Sequence, residues 1–134
     1  MLDVAIIGAG LSGLSLADRL LESKSNIAVF EAQNRRGGRI LSYSMPATDF
    51  AVDLGPAWVW PDQQPRIAAL VKRLGLQLFR QWDRGHSLYQ IDAAVAPVMF
   101  IDTETHAAAR RIKGVFGQLT DGLLRRFLLV KFGC

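Results

Sequence analysis

The hexapeptide Gly8-Ala9-Gly10-Leu11-Ser12-Gly13 stands directly behind the apolar run Val4-Ala5-Ile6-Ile7. An apolar run that breaks into glycines at this spacing reads as a buried strand turning sharply into a helix. Gly8 permits the tight turn, Gly10 lets the backbone come close to a pyrophosphate, and Gly13 lets the helix pack near the strand. The helix that opens at Leu11 and Ser12 offers free N–H groups and a partial positive charge to a phosphate. A second apolar run, Ile27-Ala28-Val29-Phe30, ends in Glu31. A carboxylate there can accept hydrogen bonds from the hydroxyls of an adenosine ribose, and it would repel a 2′-phosphate. Taken alone, the loop could be a turn that binds nothing and Glu31 an exposed strand end. Together they favour a dinucleotide.

The intervening segment is expected to be a helix running to about Ser23. Leu14, Ala17 and Leu21 give it a packing stripe, with Asp18 on the neighbouring row. Ser25-Asn26 is a plausible reversal before the second strand, and 1–45 is therefore a βαβ unit with the turn that follows it. Downstream, Ile40–Tyr43 and Phe50–Leu54 read as short strands. Pro65 opens a helix whose apolar face is Ile67, Leu70, Val71 and Leu74, and Gly75 stops it. Leu76–Phe79, Ser87–Ile91 and Val95–Ile101 read as strands. Thr105–Arg111 reads as a short helix, and 117–130 as an amphipathic one with Leu119, Leu123, Leu124, Phe127 and Leu128 on its apolar face.

At 134 residues, half of them hydrophobic and 21% charged, the chain is the size of one domain with a packed core. The net charge of +4 is not gathered into runs, which argues against a nucleic-acid arm, and an anionic ligand accounts for it. No apolar run is long enough to span a bilayer. The one cysteine, Cys134, permits no disulfide within the chain and fits a reducing compartment, so a cytoplasmic location is expected. His86 and His106 have no partners at metal-ligand spacing, so no metal site is expected.

Arg35-Arg36-Gly37-Gly38-Arg39 narrows the choice of dinucleotide. Two adjacent glycines flanked by guanidinium groups can bring backbone close to a ligand and clamp phosphate, although a solvated basic loop is the ordinary account of such a run. The order strand, glycine loop, helix, strand ending in Glu31-Ala32, then Arg-x-Gly-Gly-Arg resembles the opening of the flavin-containing amine oxidases and their relatives, the carotenoid desaturases and protoporphyrinogen oxidases. The resemblance implies FAD as cofactor, with Glu31 on the adenosine ribose and Gly37, Gly38 and Arg39 along the pyrophosphate toward the flavin. Asp53-Leu54-Gly55-Pro56-Ala57-Trp58 resembles the family segment that passes the flavin ring, with Pro56 in place of a frequent second glycine. The helix ending in Leu74-Gly75-Leu76 and the segment Arg111-Ile112-Lys113-Gly114-Val115 resemble later family elements.

The implied cofactor-binding set is therefore Gly8, Gly10, Leu11, Ser12, Gly13, Glu31, Ala32, Arg35, Gly37, Gly38, Arg39, Gly55, Pro56, Ala57 and Trp58. No catalytic residue is identified. Lys24, Lys72, Lys113 and Lys131 lie outside the segment in which family members carry a flavin-linked lysine. The expected fold is α/β, the N-terminal βαβ of a Rossmann-like FAD-binding domain with additional short strands and helices. Residues 46–134 supply flavin-proximal and substrate-side segments. Only two parallel strands are evident, Val130-Lys131-Phe132-Gly133-Cys134 falls about where the resemblance implies the next one should start, and the closing FAD motif of the family is not found. The chain is accordingly expected to be the N-terminal piece of an amine-oxidase-like flavoprotein, incomplete by itself. Its partners would be FAD, an amine substrate, and a missing C-terminal half or an oligomer mate. A non-catalytic dinucleotide-binding remnant is the second reading and an NAD-linked dehydrogenase the third, the Arg35–Arg39 turn speaking against NAD.

Overall fold

The computed structural model describes residues 1–23, 25–82, 85–101, 108–126 and 130–133. Strand β1 (Val4–Ile7) feeds helix α1 (Leu11–Leu20) through the glycine loop, and a 3-10 turn over Leu21–Ser23 ends the helix. Strand β2 (Ile27–Glu31) returns parallel to β1, with Val4 opposite Ile27 and Ile7 opposite Phe30. The β2 strand is the central one, and its neighbouring residues Ala28 and Val29, which point to opposite faces, are both buried, as suits its apolar run. On α1, Leu14 and Ala17 are buried against the sheet, as the three-residue spacing requires.

Strands β3 (Ser42–Ser44) and β4 (Ala51–Asp53) form an antiparallel pair, with Ser42 opposite Asp53. Helix α2 (Pro65–Arg73) opens on its proline and buries Leu70 and Val71. Strand β5 (Leu78–Arg80) follows, and β6 (His86–Tyr89) pairs with β7 (Val98–Ile101) as a hairpin. Strand β8 (Arg110–Ile112) returns antiparallel to β5. Helix α3 (Gln118–Leu124) buries Leu119, Thr120 and Leu123, and β9 (Val130–Phe132) closes the described chain.

This arrangement adds a strand to the two that were evident and corrects two expected helices. The parallel sheet has three strands in the order β1-β2-β9, since Val130–Phe132 pairs with β2, Val29 opposite Val130 and Glu31 opposite Phe132. The helix expected over 117–130 ends at Leu124. Val130–Phe132 is strand because the free edge of β2 offers it a ladder, and three residues are too few to reveal that by their own periodicity. The helix expected over Thr105–Arg111 is not formed at its end: Arg110–Ile112 pairs with β5, and Thr105, His106 and Ala107 lie outside the described residues.

One core unites these pieces. Ile6 and Val29 from the sheet, Leu14 and Ala17 from α1, Leu70 and Val71 from α2, and Leu119 and Leu123 from α3 form it with Val59, Ile112 and Phe116. Asp18 is buried among them on α1. Its carboxylate pairs with Arg73 at the end of α2 and with the Arg126 Nε just beyond α3 at 2.6 Å. Three helix ends are thus tied by one acid. The helical spacing had placed Asp18 beside the packing stripe and left its partners unread.

Candidate functional site

The glycine loop and the Arg35–Arg39 turn meet in space. The Gly37 amide donates to the Ala9 carbonyl at 2.9 Å, and Gly10 and Gly37 form an isolated parallel bridge. Gly8 and Gly37 both adopt left-handed backbone, with φ of 97° and 102°, which a side chain would strain. Gly13 serves packing, because a Cβ there would overlap the Gly8 carbonyl oxygen. Gly55 does likewise against the Arg39 carbonyl.

Gly10 is different. Its backbone is extended (φ −77°, ψ 177°), and an added Cβ would meet nothing nearer than the Gly37 carbonyl at 3.9 Å. Neither conformation nor packing asks for a glycine at this position. The remaining physical reason is the space in front of it, a cleft of about 660 Å³. Gly8, Gly10, Leu11, Ser12, Gly13, Gly37, Gly38, Arg39, Pro56 and Trp58 all line this cleft, so ten residues picked out from the sequence converge there. Helix α1 reaches it with no side-chain cap and no acid in its first turn. An uncapped, positively polarised helix end facing a cavity suits an anionic group.

The cleft also takes Ile7, Ile40, Gln64, Ile67 and Phe116, which the motifs had not singled out. Ile67 had been assigned to the apolar face of α2, and that face is what delivers it here. Phe116 comes from just before α3, and no local signal marks it. Apart from Gln64 these side chains are apolar, and with Trp58 and Pro56 they give the cleft apolar surface beside the exposed backbone of its two glycine turns. Trp58 stacks on Trp60 with ring centroids 6.4 Å apart.

The other five expected residues sit around the cleft rather than on its wall. Glu31, at the end of β2, is nearly buried. One of its oxygens accepts from the Ala9 amide at 2.7 Å and the other from the Gln33 amide at 2.9 Å. Each carboxylate oxygen has a second lone pair, so the group can still accept from a ligand hydroxyl. The Gln33 and Ala9 amides hold the Glu31 carboxyl below its ordinary value of 4.5, against the opposing effect of burial, with the Ala32 amide and the Arg35 charge adding to the lowering. Arg35 folds back on its own turn, donating to the Gly38 carbonyl at 3.0 Å, and lines a neighbouring pocket of about 320 Å³ with Arg36 and Ser42. Ala32 follows Glu31, and Gly55 and Ala57 flank Pro56. Among the described residues no group of three His, Cys, Asp or Glu side chains could hold a metal ion. No helix among them is long and apolar enough to cross a membrane.

A parallel βαβ unit with an uncapped helix end and a glycine-walled cleft defines a dinucleotide-binding domain. Residues 6–74 match the family described as the NAD(P)-binding Rossmann-like domain, and the chain belongs to that family. Its homologues are flavin-containing amine oxidases, matched over their N-terminal part. Flavin-containing amine oxidase A of Bos taurus is 45% identical over 80 residues, 60% of this chain and 15% of that protein. Putrescine oxidase of Kocuria rosea is 37% identical over 87 residues, 65% of this chain and 18% of that one. Among solved structures, wild-type putrescine oxidase bound to putrescine superposes with a TM-score of 0.63 at 37% identity, covering 73% of this chain and 21% of that chain. Cyclohexylamine oxidase from Brevibacterium oxydans IH-35A gives a TM-score of 0.59 at 31% identity, covering 66% and 19%. The chain thus spans about a fifth of the length of these relatives, or less.

Proposed function

We propose that this chain binds FAD and forms the cofactor-binding part of a flavoprotein that oxidises the carbon–nitrogen bond of a small amine. The observation that carries the reading is Gly10, a glycine that the fold does not require and that opens onto the cleft. The residues present fit the cofactor. The first turn of α1, with Gly37 and Gly38, would hold the pyrophosphate; Glu31 would hold the ribose; and the Pro56–Trp58 side would lie along the flavin. Arg39 adds positive charge where the phosphates run. Bound FAD would supply the hydride acceptor for amine oxidation. What the protein contributes is orientation and the exclusion of water, through the apolar side chains that line the cleft.

The test is the visible spectrum of the purified chain after incubation with FAD and gel filtration. Retained flavin absorbance supports the reading, and a colourless protein overturns it. Amine-dependent peroxide production then separates an enzyme from a binder. With one cysteine in the whole chain, a reducing cytoplasm is the proposed location.

A second reading rests on exposed apolar side chains. Leu88 and Met99 on the β6–β7 hairpin are 69% and 60% exposed, and Ile91 just beyond β6 is 83% exposed. Apolar surface of this kind marks a contact region. It favours a chain that works as one part of a complex, with another polypeptide segment supplying the rest of the site. Sedimentation of the purified chain checks this: a well-behaved monomer that turns over amine argues against it.

A further inference from the structure

Asp53 stands at the end of β4 and does not line the cleft, and its side chain is committed to another part of the fold. The Phe116 amide donates to both of its carboxylate oxygens, at 2.9 and 3.0 Å. The Ser42 hydroxyl donates to Oδ1 at 2.6 Å and itself accepts from the Gly117 amide at 3.0 Å. Ser42 and Asp53 are directly opposed in the β3–β4 ladder, so the pair is held by the register of the hairpin. The two amides they engage are those that lead into α3 and have no partner within that helix. Gly117 leaves no slack in this junction, since a Cβ there would come within 2.8 Å of the Ser42 oxygen. Phe116, fixed by this carboxylate, is itself a wall of the cleft that contains Gly10 and Trp58.

We infer that Asp53 is a positioning residue of the cofactor cleft: acting through Phe116, it sets the wall against which the flavin end of the ligand packs. Ser42 orients the carboxylate by donating to it. The acid is not in the cleft lining; it holds the backbone from which the Phe116 ring projects. The inference deepens the proposed function and rests on FAD being the occupant of the cleft.

The experiment is a double-mutant cycle on the full chain, read by FAD affinity from quenching of flavin fluorescence. The variants are Asp53→Asn, Phe116→Leu and the pair combined, with the absorption bands of the bound flavin recorded for each. Asp53→Asn keeps the size of the side chain and removes a charged acceptor, so affinity should fall roughly tenfold, as for loss of a charge-assisted hydrogen bond. If Asp53 acts through Phe116, Asp53→Asn adds no further loss in the Phe116→Leu background, and both single variants shift the flavin bands alike. Additive losses would overturn the inference, because an acid that only stabilises the fold is not coupled to one ring. Wild-type affinity in Asp53→Asn overturns it as well. Should Asp53→Asn melt too early to be titrated, Ser42→Ala replaces it in the same cycle, with a smaller loss expected. A wild-type chain that takes up no FAD sinks the proposed function and this inference together. A wild-type chain that binds FAD, with no coupling between the two sites, sinks this inference alone.

Discussion

The Ala9 amide, in the middle of the glycine loop, donates to the Glu31 carboxylate at 2.7 Å. Two motifs that are separate in sequence thereby become one rigid rim. The loop that would face a pyrophosphate is braced by the acid that would face a ribose, so each sets the position of the other. This bond also makes the loop responsive to acid.

The folded state holds the Glu31 carboxyl below its ordinary value of 4.5, chiefly through the Gln33 and Ala9 amides. A lowered carboxyl contributes stability above its unfolded value, and that contribution is lost as pH falls through the folded value. Stability measured by urea denaturation should therefore drop below about pH 4.5 in the wild type by more than in Glu31→Gln. At neutral pH Glu31→Ala should cost about 1–3 kcal/mol by leaving the Ala9 amide unpaired. Parallel pH profiles for wild type and Glu31→Gln would show that the bond carries no acid linkage.

Gly13 and Gly10 should respond in opposite ways to alanine. Gly13→Ala drives a methyl into the Gly8 carbonyl and should destabilise the fold by about 3 kcal/mol or more, visible as a lowered thermal midpoint. Gly10→Ala meets no backbone clash and should cost no more than about 1 kcal/mol, the difference between glycine and alanine at a helix cap. Its effect should instead appear in FAD titration as a loss of tenfold or more, or ~1.4 kcal/mol. Unchanged FAD affinity in a folded Gly10→Ala protein would remove the main support for a ligand at the loop.

The buried Asp18 predicts an asymmetry between acid and base. Its side chain is 0% exposed, whereas Arg73 and Arg126 are 39% and 47% exposed. Removing both arginines, as Arg73→Met with Arg126→Met, strands a buried carboxylate and should cost about 3–5 kcal/mol. Removing the acid, as Asp18→Asn, leaves cations that can turn to water and should cost less. Denaturation midpoints that rank the two the other way round would mean that the cluster is not governed by the burial of the acid.

Trp58 should report the ligand. It lines the cleft, whereas Trp82 is 79% exposed. FAD uptake should quench the protein's tryptophan emission. Trp58→Phe should remove more of that quenching than Trp82→Phe does. Equal effects would place the flavin elsewhere.

Much of the βαβ unit was legible because its signals are local: an apolar run, glycines at set spacing, a helical stripe and an acid at a strand end each report on their own neighbourhood. The same holds for Pro65 opening α2 and Gly75 closing it. The third parallel strand was legible only as a place in the chain, Val130–Cys134 falling about where the next strand of such a fold should start. Val130-Lys131-Phe132 is too short a stretch to choose between helix and strand by itself, and pairing with β2 decided between them. Arg110–Ile112 was likewise drawn into strand by β5. In the candidate site, the sequence by itself determined which turns could approach a phosphate, because glycine acts by what its own backbone permits. Only the tertiary structure decided that Gly37 would sit on Ala9, that Glu31 would brace the loop, and that Phe116 would reach the cleft from just before α3. These are contacts between distant segments, and their energies depend on how the core places three helices around one sheet. The physical reason is range: backbone freedom and periodicity are properties of neighbours in the chain, whereas a cleft wall is a property of the packed whole.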